Sequence, residues 1–345
     1  MDYKAKWMEG NGPESAIVVS TRVRVARNLA GVPFPGTMNE IQAQGVIATV
    51  EAQQGVLEDM HVQRMAELSQ VDRLALVEKH LISLDLANKS DGAVAISSDQ
   101  AVAIMVNEED HLRIQCLLPG LQLEQAWETA SRYDDLLEAE IPFAFHEEYG
   151  YLTACPTNAG TGMRASVMLH LPALVGSGHV GKVLAAIGQF GLMARGIYGE
   201  GTQAVGQMFQ ISNQVTSGLP EEEIIRNLRG VVEQIVAQEK AHLKKMTATS
   251  RLQVEDRVFR SIGLLSNVRL LSTNEAMSLI SDIRLGVAAD IIDLSPGLLC
   301  QLMVLAQPGV LQKECTESLD SQQRDVKRAE ILSKRLKQAL RGGNI

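Results

Sequence analysis

With 345 residues the chain is too long for a single small core, and its 46% apolar and 21% charged residues are ordinary for a globular protein, so we expect two domains. A net charge of −9 with a pI near 5.4 disfavours DNA or RNA as a direct ligand. Four scattered cysteines argue against a zinc site or a disulfide framework. The absence of a signal peptide, and of any apolar run of roughly 18 residues, leads us to expect a cytoplasmic protein without a membrane partner.

The first predicted strand, over residues 17–28, carries two arginines on one side. Alternation puts Arg22 and Arg24 on one face and Val23 and Val25 on the other. Neighbouring guanidinium groups repel each other unless an anion lies between them, and each presents a planar fork that matches phosphate oxygens. The pattern indicates either a polar sheet face or a phosphate-binding one.

Helices and then strands are predicted in the next part of the chain. Residues 39–86 have apolar spacings typical of helices, and His80 lies near their end, where a lone histidine is more often structural than catalytic. Residues 93–115 predict a pair of strands, and residues 121–139 predict a helix.

A polar stretch, residues 107–115, ends this strand pair. If it is a strand, one face carries four polar side chains, namely Glu109, His111, Arg113 and Gln115. The opposite face includes Leu112 and Ile114, which would pack inward. The polar face offers a carboxylate and a guanidinium to a ligand, although a solvated edge strand with cross-strand ion pairs is an equal alternative from this stretch alone.

Residues 155–162 form a loop of glycine, threonine and asparagine that leads into another predicted strand. On that strand Arg164, Ser166 and Met168 share a face. Cys155 opens the loop. A single cysteine is usually a small buried apolar residue, but this one lies beside hydroxyl groups, glycines and a projecting arginine. The stretch is either ordinary packing or the edge of a reactive site.

After a helix predicted over residues 182–193, residues 195–201 have glycine at every second or third position. Such a loop can move and close over a ligand. It carries one arginine, Arg195, and one carboxylate, Glu200, which makes it a candidate for the edge of a charged site.

The character of the sequence changes near residues 247–251. A helix is predicted from Pro220 to about residue 245, and the residues that follow have only helical patterns. We therefore predict a catalytic domain of residues 1–248 and a helical domain of residues 249–345. Apolar stripes on the last helices exceed what a thin layer can bury alone, which favours a homodimer.

Together these stretches supply five arginines, two glutamates and one cysteine. Five guanidinium groups would neutralise a triphosphate without a P-loop, and phosphoryl transfer needs mainly positioning and charge stabilisation. A carboxylate pair suits a cationic acceptor, because a guanidinium nitrogen is a poor nucleophile until a base orients it and accepts its proton.

Five separated motifs resemble those of the phosphagen (guanidino) kinase family, and they lie in the family's order: residues 20–24, 107–113, 155–162, 164–167 and 195–200. The resemblance implies an α+β fold, a mostly antiparallel sheet flanked by helices, with a C-terminal all-helical domain added here. It implies ATP and Mg²⁺, with no protein ligand to the metal assigned. It implies Glu109, Glu200 and Cys155 as catalytic residues. The implied nucleotide-binding residues are Ser20, Thr21, Arg22, Val23, Arg24, His80, Arg113, Arg164, Ala165, Ser166, Val167, Met168, Arg195, Gly196, Ile197, Tyr198, Gly199 and Glu200.

Two departures narrow the resemblance. Family members that act on free arginine or creatine have a helical domain ahead of the first arginine motif, whereas only some twenty residues precede it here. The helical region that follows contains R-D-x-x-R-A, which resembles a phosphoarginine-binding motif in the branch that phosphorylates arginine residues of proteins. The motif consists of Arg324, Asp325, Val326, Lys327, Arg328 and Ala329. By itself it indicates only a surface ion pair.

The narrower resemblance implies an enzyme that phosphorylates arginine side chains in unfolded proteins and in a CtsR-like heat-shock repressor. It implies a McsA-like activator and delivery to the ClpC–ClpP protease. One alternative is a kinase for a free guanidino metabolite. Another is a non-catalytic phosphoarginine-binding adaptor, against which the presence of both Glu109 and Glu200 argues, since an adaptor needs no base.

Overall fold

The computed structural model describes residues 4–57, 59–196, 204–315 and 317–342. Its strands are β1 (Val18–Arg27), β2 (Met60–Arg64), β3 (Ala93–Ser97), β4 (Val102–Val106), β5 (Leu112–Pro119), β6 (Phe145–His146), β7 (Gly150–Tyr151), β8 (Met163–His170), β9 (Leu192–Gly196) and β10 (Met208–Asn213). Within these ranges, eight strands form one antiparallel sheet in the order β2-β3-β4-β5-β1-β8-β10-β9, and β6 pairs with β7.

Helices flank the sheet, so the predicted α+β class is confirmed. They are α1 (Glu40–Glu51), α2 (Gln70–Glu78), α3 (Leu84–Ala87), α4 (Leu123–Glu138), α5 (Pro172–Gly176), α6 (Val180–Ala186), α7 (Glu221–Asn267), α8 (Thr273–Ala288), α9 (Pro296–Leu305), α10 (Pro308–Lys313) and α11 (Ser321–Gly342). Short 3₁₀ turns cover Lys6–Glu9, Ala52–Gly55, Met65–Glu67, Pro156–Asn158, Ile187–Phe190 and Val205–Gln207. Side chains cap several helices at their first turn, such as Ser272 at α8 and Ser295 at α9. None of the helices in the described ranges combines the length and apolarity needed to span a bilayer.

The sheet is buried on both sides, so its strands present apolar side chains in both directions. On the first face, Ile114 of β5 and Val23 of β1 pack into a core with α4 and the start of α7. On the second face, Leu117 and Met168 pack into another core with α8, α9 and α10. Alternation therefore assigns every second residue of β1, β5 and β8 to the second face.

The second core joins the N-terminal turn, the sheet and the C-terminal helices. Trp7 and Met8 lie in it together with Met303 of α9 and Leu332 of α11. The C-terminal helices therefore pack directly on the sheet that carries the predicted site residues.

The helix α7 runs for 47 residues through the predicted domain boundary. Its one non-helical residue is Ser250, with φ −142° and ψ 37°. This kink coincides with the change in the character of the sequence near residues 247–251. The division into two domains stays a prediction.

Backbone meets backbone where the N-terminal turn contacts α9. A Cβ on Gly10 would lie 2.2 Å from the nitrogen of Gly297, and a Cβ on Gly297 would lie 2.2 Å from the oxygen of Glu9. Gly10 also has φ +62°. Only glycine at both positions allows this approach.

Candidate active site

The antiparallel register gathers predicted arginines on the second face. Arg24 of β1 lies directly opposite Arg164 of β8, and Arg22 lies opposite Ser166. On the next strands, Arg195 of β9 is opposite a glutamine of β10. Four residues of the predicted nucleotide site, which we call the sheet arginines, thus lie on three of the four consecutive strands β1, β8, β10 and β9: Arg22, Arg24, Arg164 and Arg195.

The sheet arginines have no ion-pair partner among the residues that the structure describes. Arg164 donates to the hydroxyl of Ser212 at 3.2 Å, and Arg195 donates to the side-chain amide oxygen Oε1 of Gln210 at 2.7 and 3.0 Å. Burial, followed by neighbouring arginines, lowers the pKa of Arg22, Arg24 and Arg164. The groups are cations at neutral pH, so their mutual repulsion favours a bound polyanion.

His80 lies beside this cluster. It follows the end of α2 in a left-handed conformation with φ +62°, and its ring centroid is 5.4 Å from that of Trp7. Burial, then the charges of Arg22 and Arg195, lower the pKa of His80 to about 4. The ring is therefore neutral at pH 7 and adds no positive charge to the cluster. The structure brings His80 close to these arginines, and its part in nucleotide binding stays a prediction.

Strand alternation divides the predicted nucleotide-binding segments. Side chains that face the second side of the sheet include Ser20 and Met168 together with the sheet arginines. Four others have side chains that face away from that side and are buried, and their assignment to the nucleotide site stays a prediction: Thr21, Val23, Ala165 and Val167. Thr21, for example, donates to the carbonyl of Gly120 at 2.6 Å and accepts from the nitrogen of Gln122 at 3.1 Å.

Residues 107–111 form a loop, so the predicted strand through them is wrong. Asn107 turns the chain with φ +59°, and its side-chain amide donates to the carbonyls of Ala43 and Asp91, each at 3.0 Å. The nitrogen of Asn107 also donates to the carbonyl of His111 at 2.9 Å, which closes the loop. A left-handed asparagine makes a turn, and the bonds of its side chain to Ala43 and Asp91 hold that turn in place.

This loop brings three carboxylates onto Arg113. Glu108 and Glu109 form ion pairs with its guanidinium, and Asp110 accepts from its Nε at 3.2 Å. Although burial opposes the charge, the carboxylates raise the pKa of Arg113. Glu108 and Asp110 are buried, whereas the side chain of Glu109 is 45% exposed. Of the three, the predicted base is therefore the carboxylate that a ligand from solvent can reach.

Asp110 also ties this loop to the one that holds Cys155. Its Oδ1 accepts from the nitrogen of Ala154 at 2.8 Å and from the amide of Asn28 at 2.9 Å. Our reading of the sequence missed Glu108, Asp110 and Asn28 as site residues. The run of three acidic residues shortly before Arg113 was the available signal.

Cys155 is half-buried, and its sulfur lies 3.0 Å from the hydroxyl of Thr157. The side-chain contacts of Arg164 run to Ser212 and to the sulfur of Met193, and not to this thiol. An open cavity of about 890 Å³ lies beside the Cys155 loop, with Tyr149, Thr153, Pro156, Thr161 and Leu219 among its lining residues.

His111 is a structural residue. It is fully buried, its Nδ1 accepts from the nitrogen of Leu29 at 3.0 Å, and its Nε2 donates to the carbonyl of Pro33 at 2.9 Å. These two bonds assign the proton to Nε2, so the ring is neutral. The expectation that His111 shares an open polar face with Glu109 is wrong.

The predicted glycine-rich loop is only partly described. Gly196 ends β9, paired with Phe209 of β10. Ile197, Tyr198, Gly199 and Glu200 lie outside the described residues. The second predicted carboxylate of the acceptor site is thus a prediction from sequence and resemblance alone.

The R-D-x-x-R-A motif lies on α11, and its two arginines differ in burial. Arg328 is buried and donates to the carbonyls of Ala306 and Leu271, each at 2.7 Å, and to Asp325 at 2.5 Å. These bonds hold the guanidinium of Arg328 within the fold. Arg324 is half-buried and donates to the carbonyl of Leu319 at 2.8 Å.

Other residues of the motif divide in the same way. Val326 is exposed, Lys327 forms an ion pair with Glu330 at 2.9 Å, and Ala329 is buried in the second core. Arg324 and Asp325 are therefore adjacent charged residues of the motif, and both are accessible to solvent. The predicted phosphoarginine pocket stays a prediction.

Two family models match the chain in succession. Residues 42–242 match the ATP:guanido phosphotransferase C-terminal catalytic domain, and residues 251–343 match the protein-arginine kinase McsB C-terminal domain. Protein-arginine kinases from several bacteria are similar over almost the whole chain. That of Moorella thermoacetica is 50% identical over 340 residues, which is 96% of this chain and 97% of the relative. That of Pelotomaculum thermopropionicum is 51% identical over 335 residues, 94% of each chain.

Solved structures of small-guanidine kinases share the fold. A duplicated taurocyamine kinase from Schistosoma mansoni, with bound transition-state analogue components, matches with 26% identity and a TM-score of 0.60. The match covers 70% of this chain and 35% of that one, so the present chain spans about a third of its length. A lombricine kinase matches with 23% identity and a TM-score of 0.59, over 69% of this chain and 71% of that one.

Proposed function

The chain belongs to the ATP:guanido phosphotransferase family, in its protein-arginine kinase branch, and we infer that it transfers the terminal phosphoryl group of ATP to arginine side chains of proteins. The observation that carries this function is the cluster of sheet arginines without ion-pair partners in the described part of the chain, next to a carboxylate that solvent reaches. A polyanionic donor and a cationic acceptor would each meet the opposite charge there.

On the donor side, the triphosphate of ATP lies against the sheet arginines, with His80 at its edge. Their fixed guanidinium groups would stabilise the charge that spreads over the phosphoryl oxygens during transfer. The described residues hold no group of three or more His, Cys, Asp or Glu side chains that could bind a metal. Mg²⁺ would therefore be held mainly by phosphate oxygens and water, as is usual at nucleotides.

On the acceptor side, Glu109 orients the substrate guanidinium and accepts its proton, with Glu200 as the second carboxylate. In the reaction the bond from the terminal phosphorus to the bridging oxygen of ATP breaks, a phosphorus–nitrogen bond forms and ADP leaves. An incoming arginine side chain competes with Arg113 for Glu109, since both present a guanidinium to the same carboxylate. Cys155, held near this loop through Asp110 and Ala154, lies at its edge.

The cavity beside the Cys155 loop supports a protein rather than a free metabolite as acceptor. At about 890 Å³ it exceeds what one guanidino side chain fills, and both apolar and polar residues line it. We propose that the polypeptide on either side of the target arginine occupies it.

The remaining proposals concern regulation and partners. Arg324 and Asp325 are the residues proposed to hold phosphoarginine, and the helical region is proposed to form the homodimer. The partner classes inferred from the resemblance are a CtsR-like repressor, a McsA-like activator and the ClpC–ClpP protease.

Mass spectrometry under non-acidic conditions tests the function, because the phosphorus–nitrogen bond is acid-labile. The protein is incubated with ATP and either an unfolded protein or free arginine. We expect phosphoarginine in the protein and little in the free amino acid. Product in free arginine alone would favour the metabolite kinase, and no product in either would favour the adaptor.

A further inference from the structure

One buried carboxylate links the turn that carries His80 to the C-terminal helices. Glu78, the last residue of α2, accepts from the nitrogens of Gly309 at 2.8 Å and Val310 at 2.6 Å. These are the second and third residues of α10, so the carboxylate caps the N-terminus of that helix. Glu78 is 9% exposed, and burial raises its pKa.

The turn that begins at Glu78 ends at His80. The carbonyl of Lys79 accepts from the indole of Trp7 at 3.0 Å, and that of His80 accepts from the amide of Gln115 at 2.9 Å. Gln115 is paired with Arg24 across β1 and β5. The left-handed backbone of His80 is therefore fixed on both sides, by the capped helix α10 and by the strand that borders the sheet arginines.

From its other side, α10 is held by α11. Arg328 donates to the carbonyl of Ala306, which directly precedes Gln307, the residue at the N-cap of α10. The charge of Arg328 also acts on Glu78. The N-terminus of α10 thus lies between the R-D-x-x-R-A helix and the turn that carries His80.

We propose that Glu78 is a positioning residue through which the docking of α10 sets the place of His80 in the nucleotide site. The proposal rests on the assignment of ATP to the sheet arginines and His80 made above. Glu78 touches neither nucleotide nor acceptor, and it acts by holding the turn between α2 and His80. Loss of the cap moves His80 away from the phosphates and weakens ATP binding.

The same pair of helices offers a matched control. Asp72 of α2 forms an ion pair with Lys313 of α10 at 2.6 Å, with both side chains about one-third exposed. Asp72→Asn removes a charge from the same interface but leaves the turn at His80 untouched. An effect of Glu78→Gln that Asp72→Asn lacks therefore cannot come from weaker helix contact alone.

The test measures ATP dissociation constants of folded wild type, Glu78→Gln, Asp72→Asn, His80→Asn and the double variant Glu78→Gln/His80→Asn. Coupling of this kind amounts to roughly 3- to 30-fold in affinity. We expect Glu78→Gln to weaken binding within that range and Asp72→Asn to change it less than about twofold. In the His80→Asn background, Glu78→Gln should add less than about twofold, since its effect runs through the missing ring. Unchanged binding by Glu78→Gln, or fully multiplicative effects, would overturn the proposal.

A second variant, Gly309→Ala, alters the contact between Glu78 and α10 from the α10 side. It serves as the test if Glu78→Gln does not fold. A Cβ on Gly309 would lie 2.7 Å from Cγ of Leu74 and 3.0 Å from Oε2 of Glu78, so Gly309→Ala pushes α10 away from the cap. We expect it to weaken ATP binding like Glu78→Gln, and normal binding would contradict the proposal. If the wild-type protein forms no phosphoarginine, the proposed kinase function is wrong. If it does but the variants bind ATP normally, only the positioning role of Glu78 is wrong.

Discussion

The arginines on the sheet and the arginine at the centre of the α11 motif carry the same group in opposite surroundings. Arg24 lies opposite Arg164 and has no ion-pair partner in the described ranges, whereas Arg328 is buried among two carbonyls and Asp325. The first arrangement is destabilised by its own charge until an anion arrives. The second is satisfied within the fold. Counter-charges, rather than the number of arginines, therefore separate a binding site from a packing contact.

Arg113 lies between these extremes. It belongs to the predicted nucleotide site, yet three carboxylates already contact it. Because one of them is the exposed Glu109, the pair can exchange partners when a substrate guanidinium arrives. The charge balance of the loop is thus suited to an acceptor that is itself cationic.

The largest effect is expected from Glu109→Gln, which tests whether the exposed carboxylate is the base. A general base typically contributes about 10²–10⁴-fold to turnover, so kcat should fall within that range. ATP binding should persist, because the sheet arginines are unchanged. Initial rates and nucleotide affinity measured on the same preparation check both parts, and a near-normal kcat would remove Glu109 from this role.

Arg328→Ala tests how much the hydrogen bonds of the buried arginine on α11 stabilise the fold. It leaves the carbonyls of Ala306 and Leu271 without their donor, and breaking such a buried arrangement costs about 3–5 kcal/mol. Urea unfolding should show this loss. Arg328→Lys keeps the positive charge but loses the planar guanidinium, so its free energy of unfolding should lie between those of wild type and Arg328→Ala. Unfolding at the wild-type midpoint would mean that the bonds contribute little.

Arg24→Ala tests an arginine without an ion-pair partner in the described ranges. Unlike Arg328→Ala, it should not lower the free energy of unfolding. Removing one like charge relieves repulsion with its neighbours, so the free protein should be as stable as wild type or more stable by up to about 1 kcal/mol. ATP at 100 times its dissociation constant should stabilise wild type by about 2.7 kcal/mol, and the same concentration should stabilise the variant less. Thermal unfolding with and without ATP measures both, and a less stable free variant would contradict the repulsion argument.

The last expected effect concerns His80 and appears only at acidic pH. Its pKa is about 4 in the folded protein and near 6.5 in the unfolded chain, so between these values the unfolded chain binds more protons. Stability should therefore decline as pH falls from about 6.5 towards 4. His80→Asn, which tolerates the left-handed backbone, should show a shallower decline. Parallel urea titrations at several pH values compare the two. Identical slopes would mean that burial and the neighbouring arginines do not lower the pKa of His80 in the folded protein.

Sequence reasoning found the parts of the site that follow strand parity. Alternation alone predicts that Arg22 and Arg24 share a face of one strand and that Arg164 shares a face of another with Ser166 and Met168. The register of the two strands then brings the arginines together. It failed for residues 107–111, because the turn depends on the amide of Asn107 reaching Ala43 and Asp91, which are distant in sequence. The burial of Arg328 could not be predicted for the same reason, since the carbonyls that it bonds belong to other parts of the chain.

Two glycines that bear no reactive group carry a consequence for genetics. Gly10 and Gly297 touch through their backbones, so a side chain on either would push the N-terminal turn off α9. A survey of random single substitutions should find both positions intolerant. If intolerance to substitution were taken as evidence of a catalytic role, both glycines would be assigned wrongly to the active site. The reason for the intolerance is instead the close backbone contact between the N-terminal turn and α9.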